Sequence, residues 1–228
     1  MIKFAILILL LLAGCTLTPK TNAPVAIYDF GLQPSTGHSS SPPFNTSMLV
    51  ADVTAPIWLD NQAIQYRLAY HDPARSYAYA NSRWAASPAK MLTRRIKDHL
   101  ANHSRRGIIG NHDGLKADYA LHIELEEFTQ VFDHPDESRV ILRLRASLVE
   151  RSRRQLLAQQ QFTSEQTTPT ADAAGAVAAL IAASDMVSDD LLKWLRDHLA
   201  EKHGGKNNDV SHVSLARCCD NIHHFLIL

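Results

Sequence analysis

Apolar and polar positions alternate most cleanly in the middle of the chain. From Asp118 to Phe128, Tyr119, Leu121, Ile123 and Leu125 alternate with His122, Glu124 and Glu126. From Ser138 to Glu150, Val140, Leu142, Leu144, Ala146 and Leu148 alternate with Arg143, Arg145 and Ser147. A period of two is that of a strand with one buried and one wet face. Asp133-His134-Pro135-Asp136 supplies turn chemistry between the two runs, so the pattern predicts an antiparallel hairpin. Its polar face sets Glu124 and Glu126 against Arg143 and Arg145, and each cross-strand pair of opposite charge is worth roughly 0.2–1 kcal/mol. Leu156 to Thr163, after the basic turn Arg151 to Arg154, predicts a third strand of the same meander.

Weaker strand patterns precede the hairpin. Met48 to Val53 is one, Ala63 to Tyr70 another, and Ser76 to Ala80 a third with Tyr77 and Tyr79 on one face. A short island, Ala26 to Gly31, carries Ile27, Tyr28 and Phe30 and predicts a strand that docks on the domain. Two stretches change to helical spacing. Ser87-Pro88 is an N-cap followed by proline at the first helical position, after which Leu92, Ile96 and Leu100 share one side while Arg94, Arg95 and Lys97 lie mostly off it. Gly107 ends that helix and Ile108-Ile109 pack as the chain turns to the next strand. Thr170-Ala171-Asp172 opens the second helix, with Val177, Ile181, Ser184, Val187, Leu191, Trp194 and Leu195 as its inward stripe and Gly204-Gly205 as its stop. Strands, helix, meander, helix is an α+β order: a mostly antiparallel sheet with two main helices packed on one face.

The first fifteen residues follow another logic. Lys3 is followed by an unbroken apolar run, Phe4 to Leu12, then Ala13, Gly14 and Cys15. Charge, apolar core and small residues in that order make a secretory signal peptide, residues 1–14, whose apolar run is well short of the about 20 residues a spanning helix needs. A small pair running into cysteine resembles the lipobox of bacterial lipoproteins, in which Cys15 is acylated and becomes the mature amino terminus. Two acyl chains give stable anchoring where one gives marginal binding. The competing reading is a signal peptide that merely contains a cysteine and is cut elsewhere. Thr16 is not the aspartate associated with inner-membrane retention, so the expected membrane is the outer one.

Residues 15–47 form a tether, rich in Pro, Ser and Thr, including Ser39-Ser40-Ser41-Pro42-Pro43. Residues 48–203 carry the folded domain, and residues 204–228 are a C-terminal extension. Lys plus Arg and Asp plus Glu number 23 each, so net charge supplies no nucleic-acid footprint, and no nucleic-acid motif is present. The three cysteines form no disulfide framework, since one is taken by the lipid and the others are the adjacent Cys218 and Cys219.

Candidate chemistry is sparse. No nucleophile elbow, phosphate loop, zinc-protease helix or dinucleotide fingerprint occurs, and no carboxylate pair is placed for acid and base work. His198, His203, His212, Cys218, Cys219, His223 and His224 hold metal-ligand chemistry in the tail, but their spacings match no familiar zinc site; a loosely docked extension is the plainer reading. Trp58, Trp84 and Trp194 either line a lipid or peptide groove or pack in the core. Arg94, Arg95 and Lys97, with Arg151, Arg153 and Arg154, either touch phosphate head groups or form solvated faces. No catalytic residue, metal site or cofactor is assigned.

A set of short motifs in order carries a family resemblance. The lipobox is followed by Tyr28-Asp29-Phe30-Gly31, Leu59-Asp60 before Ile64-Gln65-Tyr66-Arg67, a Tyr-rich strand leading to Arg83-Trp84-Ala85 and Ser87-Pro88, and Asp118-Tyr119 through Leu121, Ile123 and Phe128. Together these resemble the ABC-type transport auxiliary lipoproteins, the PqiC-like family, over about Ala26 to Leu199. The resemblance implies a periplasm-facing outer-membrane lipoprotein without catalytic activity. It implies that the module accompanies an MCE-domain protein and, through it, an ABC permease and ATPase, in moving phospholipids or other hydrophobic molecules across the envelope. Cys15 carries over as the lipidated residue and Trp84 as a family position read as packing; a homo-oligomer, such as a ring, fits the same role. Two other functions stay open from the residues: a periplasmic carrier that holds a lipid itself, and an envelope enzyme using a His/Cys metal site.

Overall fold

A computed structural model describes residues 24–32, 45–111 and 113–208. In chain order the elements are β1 (Ala26–Tyr28), β2 (Met48–Val50), β3 (Ala63–Leu68), β4 (Asp72–Trp84), α1 (Pro88–Ala101), β5 (Ile108–Ile109), β6 (Tyr119–His134), β7 (Glu137–Glu150), β8 (Gln155–Thr167) and α2 (Ala173–Asn208). The sheet is organised around β6. One edge of β6 pairs antiparallel with β7 from Tyr119↔Glu150 to His134↔Glu137. Its other edge is shared: β2 runs parallel along Tyr119 to Leu121, and β3 runs parallel along Gln130 to Phe132.

The apolar alternation of β6 breaks after Leu125, and the structure shows why. The register moves from Leu125↔Leu144 to Glu127↔Arg143, leaving Glu126 as the extra residue of a bulge. Without that extra residue Phe128 would point to the wet face; with it, Leu121, Ile123, Leu125 and Phe128 are all buried on one side.

The α+β architecture stands as expected, with one correction to the sheet. The meander β6-β7-β8 and the pair β3-β4 are antiparallel, but β1-β4, β2-β5, β2-β6 and β3-β6 are parallel, so the sheet is mixed. The hairpin turn at Pro135-Asp136 advertises antiparallel pairing between neighbours in sequence. Parallel partners meet only after a crossover, which contains α1 for each pair except β1-β4, and no turn residue announces that.

Leu92, Ile96 and Leu100 of α1 are buried as their spacing predicts, whereas Arg95 is buried too and corrects the reading that placed it off the packed side. Ser87 occupies the N-cap position and Pro88 begins the helix, but Ser87 makes no side-chain cap hydrogen bond. At the start of α2 the cap is explicit: Gly175 N donates to Asp172 Oδ1 at 2.8 Å, and Thr170 Oγ1 donates to the same oxygen at 2.8 Å. These bonds hold the Asp172 carboxyl below its usual range. A Cβ on Gly175 would lie 2.0 Å from Thr170 O, so this close approach requires glycine. α2 continues past Gly204-Gly205 to Asn208, against the expected stop; a glycine inside a helix costs about 1 kcal/mol and does not by itself end it. α2 lies on β7 and β8, and its stripe of Val177, Val187, Leu191, Trp194 and Leu195 joins α1 and the sheet in one apolar core.

Candidate functional site

The segment that leads in from the amino terminus is built into the domain. β1 pairs in parallel with the end of β4, Tyr28 opposite Trp84, and Ala85 N donates to Tyr28 O at 2.7 Å. Phe30 then drops onto the core. Its ring meets Trp84 edge-on at 6.0 Å and Phe128 at 6.2 Å, while Trp84 and Phe128 are 5.6 Å apart. Such aromatic pairs add about 0.5–1.5 kcal/mol beyond the area they bury. Gly31, at φ +66, turns the chain away, with its N–H donated to Asp29 Oδ1 at 2.8 Å.

Arg95 locks this arrangement from the helix side. Its Nη1 donates to Phe30 O at 3.3 Å, its guanidinium carbon lies 5.4 Å from the centre of the Phe30 ring, and its Nε donates to Asp185 Oδ1 at 2.7 Å. Thus α1, α2 and the incoming segment meet at one side chain. Lys97 is likewise engaged, with Nζ 2.7 Å from Asp52 Oδ1, and Arg94 lies 3.7 Å from Asp98. Sequence periodicity could not find Arg95 because a charged residue at a packed position looks like a register error until its partners are known. Cys15 lies outside the described residues, upstream of this dock.

The sheet face opposite the helices is polar and internally paired. Arg145 bridges to Glu126, which also accepts from Gln161 Nε2 at 2.5 Å. Arg67 Nε lies 3.8 Å from Glu127. Burial raises the Glu127 carboxyl above its usual range, and nearby Arg67 and Arg143 oppose that rise without cancelling it. Of the expected cross-strand charge pairs, Arg145 with Glu126 forms an ion pair, while the bulge sets Arg143 opposite Glu127, whose ion pair is with Arg67. A depression of about 210 Å³ on this face is lined by Asp52, His122, Glu124, Arg145 and Gln159. Another, of about 370 Å³ beside the β6–β7 turn, is lined by Asp133, Asp136, Glu137, Arg139, Thr168 and Thr170. Linings of this kind suit water and ions better than an acyl chain.

The tryptophans do not converge. Trp84 is in the core beside Phe30, and Trp194 is buried against Phe162 and His198, while Trp58 is exposed. Two are therefore packing residues and no shared groove joins the three. Near the β6–β7 turn a hydrogen-bond chain runs from Tyr79 OH to Gln130 Oε1 (2.7 Å), from Gln130 Nε2 to Ser138 Oγ (2.8 Å), and on to Thr168 Oγ1 (2.6 Å). Burial is the main cause that pushes the Tyr79 hydroxyl up to about 12, so it stays a neutral donor. Of the tail histidines and cysteines, only the His198 side chain is described, with Nδ1 2.9 Å from Trp194 O; the others lie outside the described side chains. Among the described residues no three His, Cys, Asp or Glu side chains converge as metal ligands.

Known proteins place the fold. The family model described as ABC-type transport auxiliary lipoprotein component matches residues 28–191. A crystal structure of a protein from Xanthomonas campestris superposes with a TM-score of 0.66 at 21% identity, covering 78% of this chain and 99% of that one. A second solved structure, of an uncharacterized protein, gives 0.57 at 16% identity and covers 76% and 99%. No curated protein matches the chain.

Proposed function

Since the chain belongs to the family of ABC-type transport auxiliary lipoprotein components, we propose that it works as a lipid-anchored, non-catalytic adaptor. In this reading Cys15 is acylated, the acyl chains hold it in the outer membrane, and residues 16–25 link that anchor to the folded domain facing the periplasm. The domain docks an MCE-domain protein, and through it an ABC permease and ATPase, in a system that moves phospholipids or other hydrophobic molecules.

The observation that supports this most is the docked incoming segment. A tether that merely trailed from the domain would leave the domain's orientation free, whereas β1 pairs with β4 and Phe30 is clasped by Trp84, Phe128 and Arg95. Force or position at the anchor is thus delivered to the junction of sheet and helices rather than to a frayed end.

Deleting the gene and restoring it tests the reading. A deletion should weaken the envelope barrier against detergent, the wild-type chain should restore it, and a Cys15→Ser chain should fail to restore it while accumulating in the periplasm. Full restoration by the unanchored variant would defeat the adaptor reading.

A further inference from the structure

The chain is neutral overall, yet its charges are sorted to opposite ends of the sheet. β2, β5 and β6 are mutually parallel, so the residues just before each of them lie at one end. β7 finishes and β8 begins at that same end, where Arg151 N donates to Asp118 O at 3.0 Å. Arg105 and Arg106 precede β5, Lys116 precedes β6, and Arg151, Arg153 and Arg154 form the β7–β8 turn; all six are exposed. Four strand spacings separate β5 from β8, so the cations span a rim of roughly 19 Å. Three acids share that end: Asp113, which accepts from Gly110 N, Asp118, which accepts from Ser47 Oγ, and Glu150, 3.8 Å from Arg153, so the cations there outnumber the acids two to one. The opposite end, around the β6–β7 turn, instead carries Asp72, Asp133, Asp136, Glu137, Glu165 and Asp172, with Arg67, Arg75 and Arg139 as its cations.

The direction of the incoming segment decides which way the rim points. β1 is parallel to β4, which is antiparallel to β3, which is parallel to β6, so β1 runs toward the basic end. Pro24 and Val25, just before β1, therefore lie on its acidic-end side. Ala26 is level with about Glu127 of β6, roughly 28 Å along the strand from Tyr119. Ten residues separate Cys15 from Ala26, with a reach of about 33 Å when fully extended. Placing the anchor in a plane with the basic rim would take nearly all of that reach and a reversal of direction as well.

We infer that this basic rim is a docking surface for an acidic protein surface, held on the side of the domain away from the anchoring bilayer. The inference rests on the proposed acylation of Cys15 for its orientation, and on the charge segregation for its chemistry. Exposed arginines across such a rim steer and orient an oppositely charged partner, and their effect weakens with salt.

The test uses the full-length chain in its own host, with a photoreactive phenylalanine analogue at the position of Lys116 or Arg151, and at Asp136 as the comparison. The expected adduct at the rim is a subunit of the ABC transport system, joined through a peptide rich in Asp and Glu, with little or none from position 136. Paired Arg105→Glu and Arg106→Glu, or Arg151→Glu and Arg153→Glu, should lower its yield about tenfold while the chain stays in the membrane fraction. If a reversal reduces the amount of folded chain, the milder Arg→Gln pairs, read against an unchanged melting temperature, decide the matter. A phospholipid adduct, no adduct, equal adducts from both ends, or a yield indifferent to the substitutions would each overturn the inference. Recovery of the chain in the soluble fraction would instead count against acylation, leaving the adduct pattern to judge the rim by itself.

Discussion

Arg95 and Asp185 join the two helices through a pair whose halves differ sharply in exposure: the arginine side chain is 6% accessible and the aspartate 56%. A surface ion pair is worth about 0–1 kcal/mol. Here the guanidinium is desolvated and also holds the Phe30 carbonyl, so its anion cannot be removed cheaply.

Asp185→Asn should therefore destabilise the protein by about 3 kcal/mol despite the exposure of Asp185, because it leaves a buried cation without a counter-charge. Arg95→Met should cost somewhat less, about 2 kcal/mol, since Asp185 remains solvated and the methionine keeps much of the packing. Urea unfolding of both variants and of the double variant measures this. The double variant should fall well short of the sum of the singles.

Phe30 and Trp84 test the dock without touching charge. Phe30→Ala should cost about 2 kcal/mol and release β1. Hydrogen exchange at Ala85, whose N–H is held by Tyr28 O, should then rise well before global unfolding. Trp84→Ala removes the wall on which both Phe30 and Phe128 rest and should cost more, about 3–5 kcal/mol.

His99 gives the fold a pH dependence of defined sign. Burial lowers its proton affinity; Asp189 and Asp185 oppose that, and His103 and Arg95 reinforce it. Its Nε2 sits 3.1 Å from Asp189 Oδ1 without hydrogen-bond geometry. Because the folded value lies below the ordinary 6.5, the unfolded chain takes the proton first as pH falls. The associated stability is present above about pH 6.5 and lost progressively below it. Urea midpoints compared between about pH 8 and pH 5 should fall in the wild type and fall less in His99→Gln.

Much of the fold was legible because β6, β7 and α2 obey single periods over long runs. Leu121, Ile123 and Leu125 announce a strand face, and Val187, Leu191 and Leu195 a helix stripe. The bulge at Glu126 is visible only as a skipped beat before Phe128, and its meaning depends on Leu142 and Leu144 across the pair. Parallel pairing of β2 and β3 with β6 joins residues far apart in sequence, which local patterning does not encode. The burial of Arg95 is hidden from local patterning for a similar reason, since it is permitted by Asp185 and Phe30, neither of them near it in the chain. The aromatic island at Phe30 was readable as a docking segment, while its clasp by Trp84 and Phe128 was not.

The proposed acylation of Cys15 would tether the folded domain to the membrane without contributing to its fold. Fractionation of cells expressing the wild type or Cys15→Ser, with urea unfolding of the purified variant, tests it most directly. The wild type should sediment with outer membranes, and the variant should appear in the soluble fraction with an unchanged urea midpoint. A Cys15→Ser chain that still sediments with membranes would contradict acylation as the anchor.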